Sequence, residues 1–161
     1  MKTLSDRNQR FIALYGPREL SFRELPLEAQ MAVAQYFGVD GEAWPEPVYP
    51  ITREQLPGLV ETYGDVVFGY VEVPLDALTA EVMKDGDLRD DFGSDFAAYH
   101  SWYMNDAGPK FSPGKKGKYK SDRWPVFLSC YNDETLQDGW HRFHCYYERG
   151  VPLVPCLYSV T

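Results

Sequence analysis

The residues with the clearest chemical potential lie in one short stretch, residues 136–145 (LQDGWHRFHC). Gly139 at a strand-to-helix bend lets the backbone approach a ligand closely. The first N–H groups of the following helix form a natural anion site. Arg142 offers a planar fork to phosphate oxygens, His141 can donate a hydrogen bond or carry a proton, and Trp140 presents a face to a base. The pattern predicts a phosphate site formed by Gly139, Trp140, His141 and Arg142.

The same stretch also permits a purely structural interpretation. Asp138 can cap the helix, and Arg142 can form an ion pair with Asp138 or Glu148. Trp140, Phe143 and Tyr147 follow helical spacing and can face a core. Both interpretations stay open at this point.

Two carboxylates are the candidates for orienting water or a metal ion. Asp138 lies beside the bend, and Glu72 lies on a predicted neighbouring strand. With a nucleotide, Mg²⁺ is the expected ion. His141, His144 and Cys145 lie close together, but the sequence places no fourth ligand, so no metal site is assigned. Five aspartates between residues 85 and 95 lack the order of a calcium loop and are interpreted as a solvated acidic loop.

The charge of the chain is unevenly distributed. The net charge is -8, yet residues 107–123 hold six basic residues and one acidic residue, which leaves -13 for the remainder. A basic strip on an acidic body is a candidate for contact with a polynucleotide backbone. We therefore predict that loop 110–123 binds DNA through five side chains: Lys115, Lys116, Lys118, Lys120 and Arg123. The alternative is a solvated loop that keeps the chain soluble.

Length and composition limit the class of protein. The 161 residues suit one domain, and 44% hydrophobic with 25% charged residues is an ordinary globular mixture. The apolar runs are too short for a membrane span, and the first residues do not resemble a signal peptide. Three cysteines without a Cys-x-x-Cys pair do not resemble a disulfide framework. These features predict a cytoplasmic protein with no membrane partner.

The elements that must position the site form an α+β pattern with helices first. Helices are predicted over residues 5–15, 21–37, 52–64, 75–83, 95–104 and 140–149, with residues 39–50 as a connector. Strands are predicted over residues 65–73, 126–131, 135–137 and 153–158. Pro155 cannot donate to a ladder, which places the last strand near an edge.

At the bend, the run Asp138-Gly139-Trp140-His141-Arg142 precedes a helix that ends at Gly150 and a strand that includes Pro155. Together with residues 71–78 (VEVPLDAL), this arrangement resembles the ParB/sulfiredoxin superfamily over about residues 66–161. The resemblance implies a small mixed sheet flanked by helices, with residues 1–65 as a helical N-terminal extension packed on that core. In the superfamily the bend binds nucleotide phosphates, ATP in sulfiredoxins and CTP in ParB proteins.

The departures from the superfamily pattern limit what the resemblance implies. Sulfiredoxins carry a reactive cysteine where this chain has Trp140, and indole cannot form a thiolate, so this chain is not a sulfiredoxin. ParB proteins carry Gly-Glu-Arg-Arg at the bend, whereas Trp140 and His141 separate Gly139 from Arg142 here.

The resemblance therefore implies a protein that binds a nucleoside triphosphate, with weak ATPase or DNase activity as the expected chemistry. Some relatives are plasmid-encoded inhibitors of conjugative transfer, and a plasmid or phage accessory role (fertility inhibition) is expected by analogy. The alternative is a non-catalytic module that uses the same fold to bind a protein partner.

Overall fold

The computed structural model describes residues 3–36, 51–107 and 123–160. Seven α-helices are present in these ranges: α1 Asp6–Ile12, α2 Leu27–Tyr36, α3 Leu56–Tyr63, α4 Leu75–Val82, α5 Gly86–Phe92, α6 Phe96–Trp102 and α7 Trp140–Arg149. A π-helix over Tyr103–Ala107 continues α6. The strands are β1 Arg18–Ser21, β2 Val67–Pro74, β3 Val126–Leu128, β4 Leu136–Asp138 and β5 Leu153–Ser159.

The five strands form one mixed sheet in the order β1-β2-β5-β3-β4. The β1–β2, β2–β5 and β3–β4 pairs are antiparallel, and β3 and β5 are parallel. The predicted α+β class is therefore confirmed. The Val71–Cys156 and Val126–Cys156 pairings align three strands beside the short β4, whose last residue leads into α7.

The sheet separates two hydrophobic cores because side chains alternate along its strands. Val71 and Val73 of β2 face α7 and pack with the fully buried Phe143 and Tyr146. Phe68 and Tyr70 face the opposite side, where α2 and α3 contribute Val33 and other apolar residues. The predicted burial of Phe143 is confirmed, whereas Tyr147 lies against α6 and Tyr146 takes the core position.

Helix α1 begins as predicted, since the Ser5 side chain accepts a hydrogen bond from the Asn8 N–H. Its Arg7 reaches across to three side chains from other parts of the chain. The guanidinium donates to Glu81 and Thr135 and forms an ion pair with Asp85 at 2.7 Å. All four side chains are largely buried, so this ionic cluster joins α1 to α4 and to the β3–β4 hairpin.

Three features differ from the predictions. Residues 18–21 form strand β1, which the sequence analysis missed, because only four residues pair at the edge of the sheet. Helix α5 occupies part of the stretch that was interpreted as an acidic loop. The predicted edge position of β5 is wrong, because β5 lies at the centre of the sheet. The pairing with β3 covers only Cys156 and Leu157, so that side of β5 is open at Pro155.

Two predicted segments lie outside the described residues: the connector 39–50 and the basic loop, apart from Arg123. Within the described ranges, no helix is long and apolar enough to cross a membrane.

Candidate functional site

The bend between β4 and α7 lies at Gly139, where the sequence predicted a strand-to-helix bend. Gly139 has φ +90°, in the left-handed region that L side chains rarely adopt. A Cβ at this position would lie 2.9 Å from Arg142 Nη2 and 3.0 Å from Val126 Cα. Both the dihedral angle and the missing side chain are therefore required for α7 to begin here.

Arg142 lies beneath the bend and not on its surface. Only 3% of the residue is exposed. Its Nε donates to the Pro125 carbonyl at 3.0 Å, and its guanidinium lies 5.4 Å from the centre of the Phe127 ring. The guanidinium thus supports the first turn of α7 from within the core. A positive charge at a helix N-terminus opposes the helix dipole, and an anion at the same end relieves that opposition.

The side chains around the opening of the bend differ in their roles. Asp138 is exposed, and its Oδ1 accepts a hydrogen bond from the Gly139 N–H at 2.7 Å. His141 is half-buried against the Tyr103 ring, at 5.3 Å between ring centroids. Trp140 is half-buried and packs edge-on against Phe143. The Gly139 N–H is therefore already used by the Asp138 carboxylate.

A pocket of about 310 Å³ opens beside Trp140. Its aromatic wall is formed by Trp140 and Tyr99, and its rim carries the exposed carboxylates of Asp87 and Asp133. Glu134 also lines the pocket and accepts a hydrogen bond from Ser129 Oγ at 2.6 Å. The pocket can stack a flat ring and accept hydrogen bonds from it, but its charge repels phosphate.

The structure does not bring Glu72 to the bend. Glu72 shares the sheet face of Tyr70, opposite the face that packs on α7. Its Oε1 lies 2.9 Å from Arg123 Nη2, and the Tyr70 hydroxyl donates to it at 3.4 Å. Arg123 also donates to the Leu153 carbonyl at 2.8 Å. The sequence indicated only that Glu72 lies on a strand next to the site. A strand position alone does not determine on which face of the sheet the side chain lies. The four lysines predicted to bind DNA lie outside the described residues.

Two histidines from different helices meet behind the site, a contact that the sequence analysis did not predict. His100 Nδ1 of α6 lies 2.8 Å from His144 Nδ1 of α7, and Tyr103 stacks on His144 at 3.8 Å between centroids. His100 Nε2 lies 3.6 Å from the Glu148 carboxylate. His144 is fully buried, and within the described residues its Nε2 has no hydrogen-bond partner. Burial, assisted by the imidazoles of His100 and His141, lowers the pKa of His144 to about 2.

This buried imidazole makes a pH dependence of stability measurable. An unfolded histidine titrates near pH 6.5, whereas folded His144 stays neutral down to about pH 2. The unfolded state therefore binds the extra proton, and stability falls as the pH drops below about 6.5. We expect His144 to contribute a loss of about 2 kcal/mol in unfolding free energy between pH 7 and pH 5. Urea unfolding at both pH values measures the loss, and His144→Gln should reduce it by that amount. An unchanged pH dependence in the variant would contradict the assignment.

Within the described ranges, no group of three or more histidine, cysteine, aspartate or glutamate residues is arranged to hold a metal ion. The free cysteines Cys145 and Cys156 are buried, and burial raises the pKa of the Cys156 thiol, so neither is placed as a nucleophile.

No protein-family model matches this sequence, and no curated protein or solved structure is significantly similar to it.

Proposed function

We propose that the chain binds the phosphates of a nucleotide at the bend between β4 and α7. The observation that carries the proposal is the left-handed Gly139 above the buried Arg142. Positive potential from the helix dipole and from the guanidinium adds at this point, and an anion compensates both. In this arrangement Arg142 supplies charge from below, while the N–H groups that follow Gly139 bind the phosphate oxygens. His141 lies at the same opening and donates a further hydrogen bond.

The fold is compatible with the ParB/sulfiredoxin type, which agrees with the motif at the bend. Strand β4, the bend at Gly139, helix α7 and strand β5 follow one another along the chain, and this order supports the assignment. N-terminal strand β1 adds an edge to that sheet. The family assignment stays a proposal that rests on the motif and on this order of elements.

The pocket beside Trp140 favours a base that carries an exocyclic amino group. An adenine or cytosine ring stacked on Trp140 directs its amino group toward carboxylate acceptors such as Asp87 and Asp133. Uracil presents a carbonyl oxygen at the corresponding position and is disfavoured there. ATP and CTP, the two nucleotides that the resemblance implies, both carry such an amino group and are the proposed ligands. The described residues fit a phosphate and a base, and they provide no ligand set for a metal of their own.

Asp138 provides the sharpest test, because its carboxylate competes with phosphate for the bend. We expect Asp138→Asn to bind ATP or CTP at least about fivefold more tightly, since a negative charge within a few ångströms costs ~1 kcal/mol or more. Isothermal titration calorimetry with ATP, CTP, UTP and tripolyphosphate measures the change. Binding of UTP as tight as that of ATP and CTP would exclude the role of the pocket in base selection.

A matched control removes the effect of net charge. The Asp76 carboxylate accepts a hydrogen bond from the Ala77 N–H at 2.9 Å, as the Asp138 carboxylate does from Gly139, but at the start of α4. Asp76→Asn should leave nucleotide affinity unchanged. If neither nucleotide nor tripolyphosphate binds wild type or Asp138→Asn, the phosphate site is disproved and the protein-binding alternative replaces it.

A further inference from the structure

A groove of about 560 Å³ runs between α1 and α4, away from the bend. One wall is formed by Arg7, Arg10 and Phe11 of α1 together with Leu14 and Tyr15 of the 3-10 turn that follows it, Ala13–Tyr15. The other wall belongs to α4 and its end and shows the spacing i, i+3, i+4 and i+7, beginning at Ala77. The small side chains of Ala77 and Ala80 in the second wall leave a groove that can accept a helix.

The apolar half of the groove is exposed to solvent. Leu14 is 84% exposed, more than any other large hydrophobic residue among those described. It lies near Tyr15, whose ring contacts Phe11 edge-on at 5.8 Å between centroids. Ala77 and Ala80 face these rings from the other wall and leave room for a side chain between them. An apolar anchor such as leucine fits this end.

The polar half of the groove carries excess positive charge. The Glu81 carboxylate lies 3.1 Å from Arg7 Nε and 3.1 Å from Lys84 Nζ, so the one acidic residue in the lining is already compensated. Arg10 is exposed and forms no ion pair within the described part of the chain. Arg7 is in turn paired with Asp85 at 2.7 Å, so Arg7 and Lys84 balance Glu81 and Asp85, and Arg10 adds one net positive charge at this end on a chain whose net charge is -8. A partner that places carboxylates at this end of the groove is complementary to it in charge.

We propose that this groove docks an acidic amphipathic helix of a partner protein, with a leucine-type anchor against Leu14 and carboxylates beside Arg10 and Lys84. Nucleic acid does not fit, because half of the lining is apolar. A second copy of this chain does not supply the helix from its acidic α5, because Leu88 and Phe92 of that helix pack against their own core.

The test uses the full chain and a defined probe, a fluorescein-labelled synthetic helix in which leucine repeats at heptad spacing and glutamate covers the other face. Fluorescence anisotropy should show saturable binding. Leu14→Glu and Arg10→Glu should each weaken binding at least about tenfold. Both side chains are exposed, so circular dichroism and thermal unfolding should remain those of the wild type. Leu153→Glu is the matched control, since Leu153 is also an exposed leucine but lies at the start of β5, and it should bind the probe as wild type does.

Several outcomes would overturn the proposal. A probe with lysine in place of every glutamate should not bind, and equal binding would exclude charge complementarity. Equal loss in Leu14→Glu and Leu153→Glu would exclude the groove as the site. Light scattering that shows a dimer dissolved by Leu14→Glu would assign the groove to a second copy, and Leu14-dependent binding to anionic vesicles without binding of the peptide would assign it to a membrane surface.

Discussion

Replacement of Arg7 by alanine should lower the free energy of unfolding by about 3–5 kcal/mol, because it leaves the buried Asp85 carboxylate without its cation and removes one of the two cations beside Glu81. Asp85 and Glu81 are both largely buried, and the Arg7 guanidinium lies 2.7 Å from Asp85 and 3.1 Å from Glu81. Burial already raises the pKa of Asp85, which Arg7 and Thr135 counteract. Urea unfolding at pH 7 measures the loss.

Arg10→Ala is the control for the first prediction, since Arg10 lies on the same helix and is exposed. Arg10→Ala should change the free energy of unfolding by no more than about 0.5 kcal/mol. In an Asp85→Asn background, Arg7→Ala should lower the free energy of unfolding by less than in the wild type. The neutral asparagine side chain no longer needs a cation beside it. A cost below about 1 kcal/mol for Arg7→Ala alone would show that the cluster does not hold α1 in place.

Gly139→Ala should lower the free energy of unfolding by about 2–5 kcal/mol, from a sparsely populated dihedral angle and from overpacking. The added Cβ would lie 2.9 Å from Arg142 Nη2 and 3.0 Å from the backbone of Val126. Arg142 is itself held by Pro125, and a backbone atom cannot move aside at low cost. The measurement is urea unfolding, followed by calorimetry with ATP if the variant folds, where binding should be lost.

Gly150 separates the two contributions. It has φ +64°, but no atom lies within 4 Å of the position that a Cβ would take. Gly150→Ala therefore measures the dihedral cost alone, about 1–2 kcal/mol. If Gly139→Ala lowers the free energy of unfolding no more than Gly150→Ala does, the close contact of the added Cβ with Arg142 and Val126 contributes nothing to the loss.

Short sequence patterns predicted the elements that depend on interactions between residues close together in the chain. The Ser5 cap, the strand that includes Val71 and the glycine bend at Gly139 are all visible in short windows of sequence. Strand β1 was missed because four residues at an edge carry too little alternation to be recognised. The position of β5 was missed because the order of strands depends on pairing between distant residues, and the rule for proline fails where a short neighbour leaves one side open.

The sequence indicated which residues lie at the bend, but it did not indicate how deeply each side chain is buried. The spacing of Trp140, Phe143 and Tyr147 gives one face of a helix, yet Tyr146 is fully buried in the core, whereas Tyr147 packs against Phe96 and His100 of α6. Arg142 was expected to offer its planar fork to phosphate oxygens in the first turn, and its side chain lies buried under the bend. The pairing of His100 with His144 depends on how α6 crosses α7, which no local pattern encodes.

The docking of α1 sets an order of events during synthesis. Asn8 donates to the carbonyls of Ser129 and Thr135, 121 and 127 positions further along the chain. At about 5–20 residues per second, the ribosome needs roughly 6–25 s to supply these partners. Until then α1 has only its own short turns, and a seven-residue helix is marginal in water. The nascent chain therefore exposes the apolar side of its first helix for seconds, until the carbonyls of Ser129 and Thr135 have been synthesised.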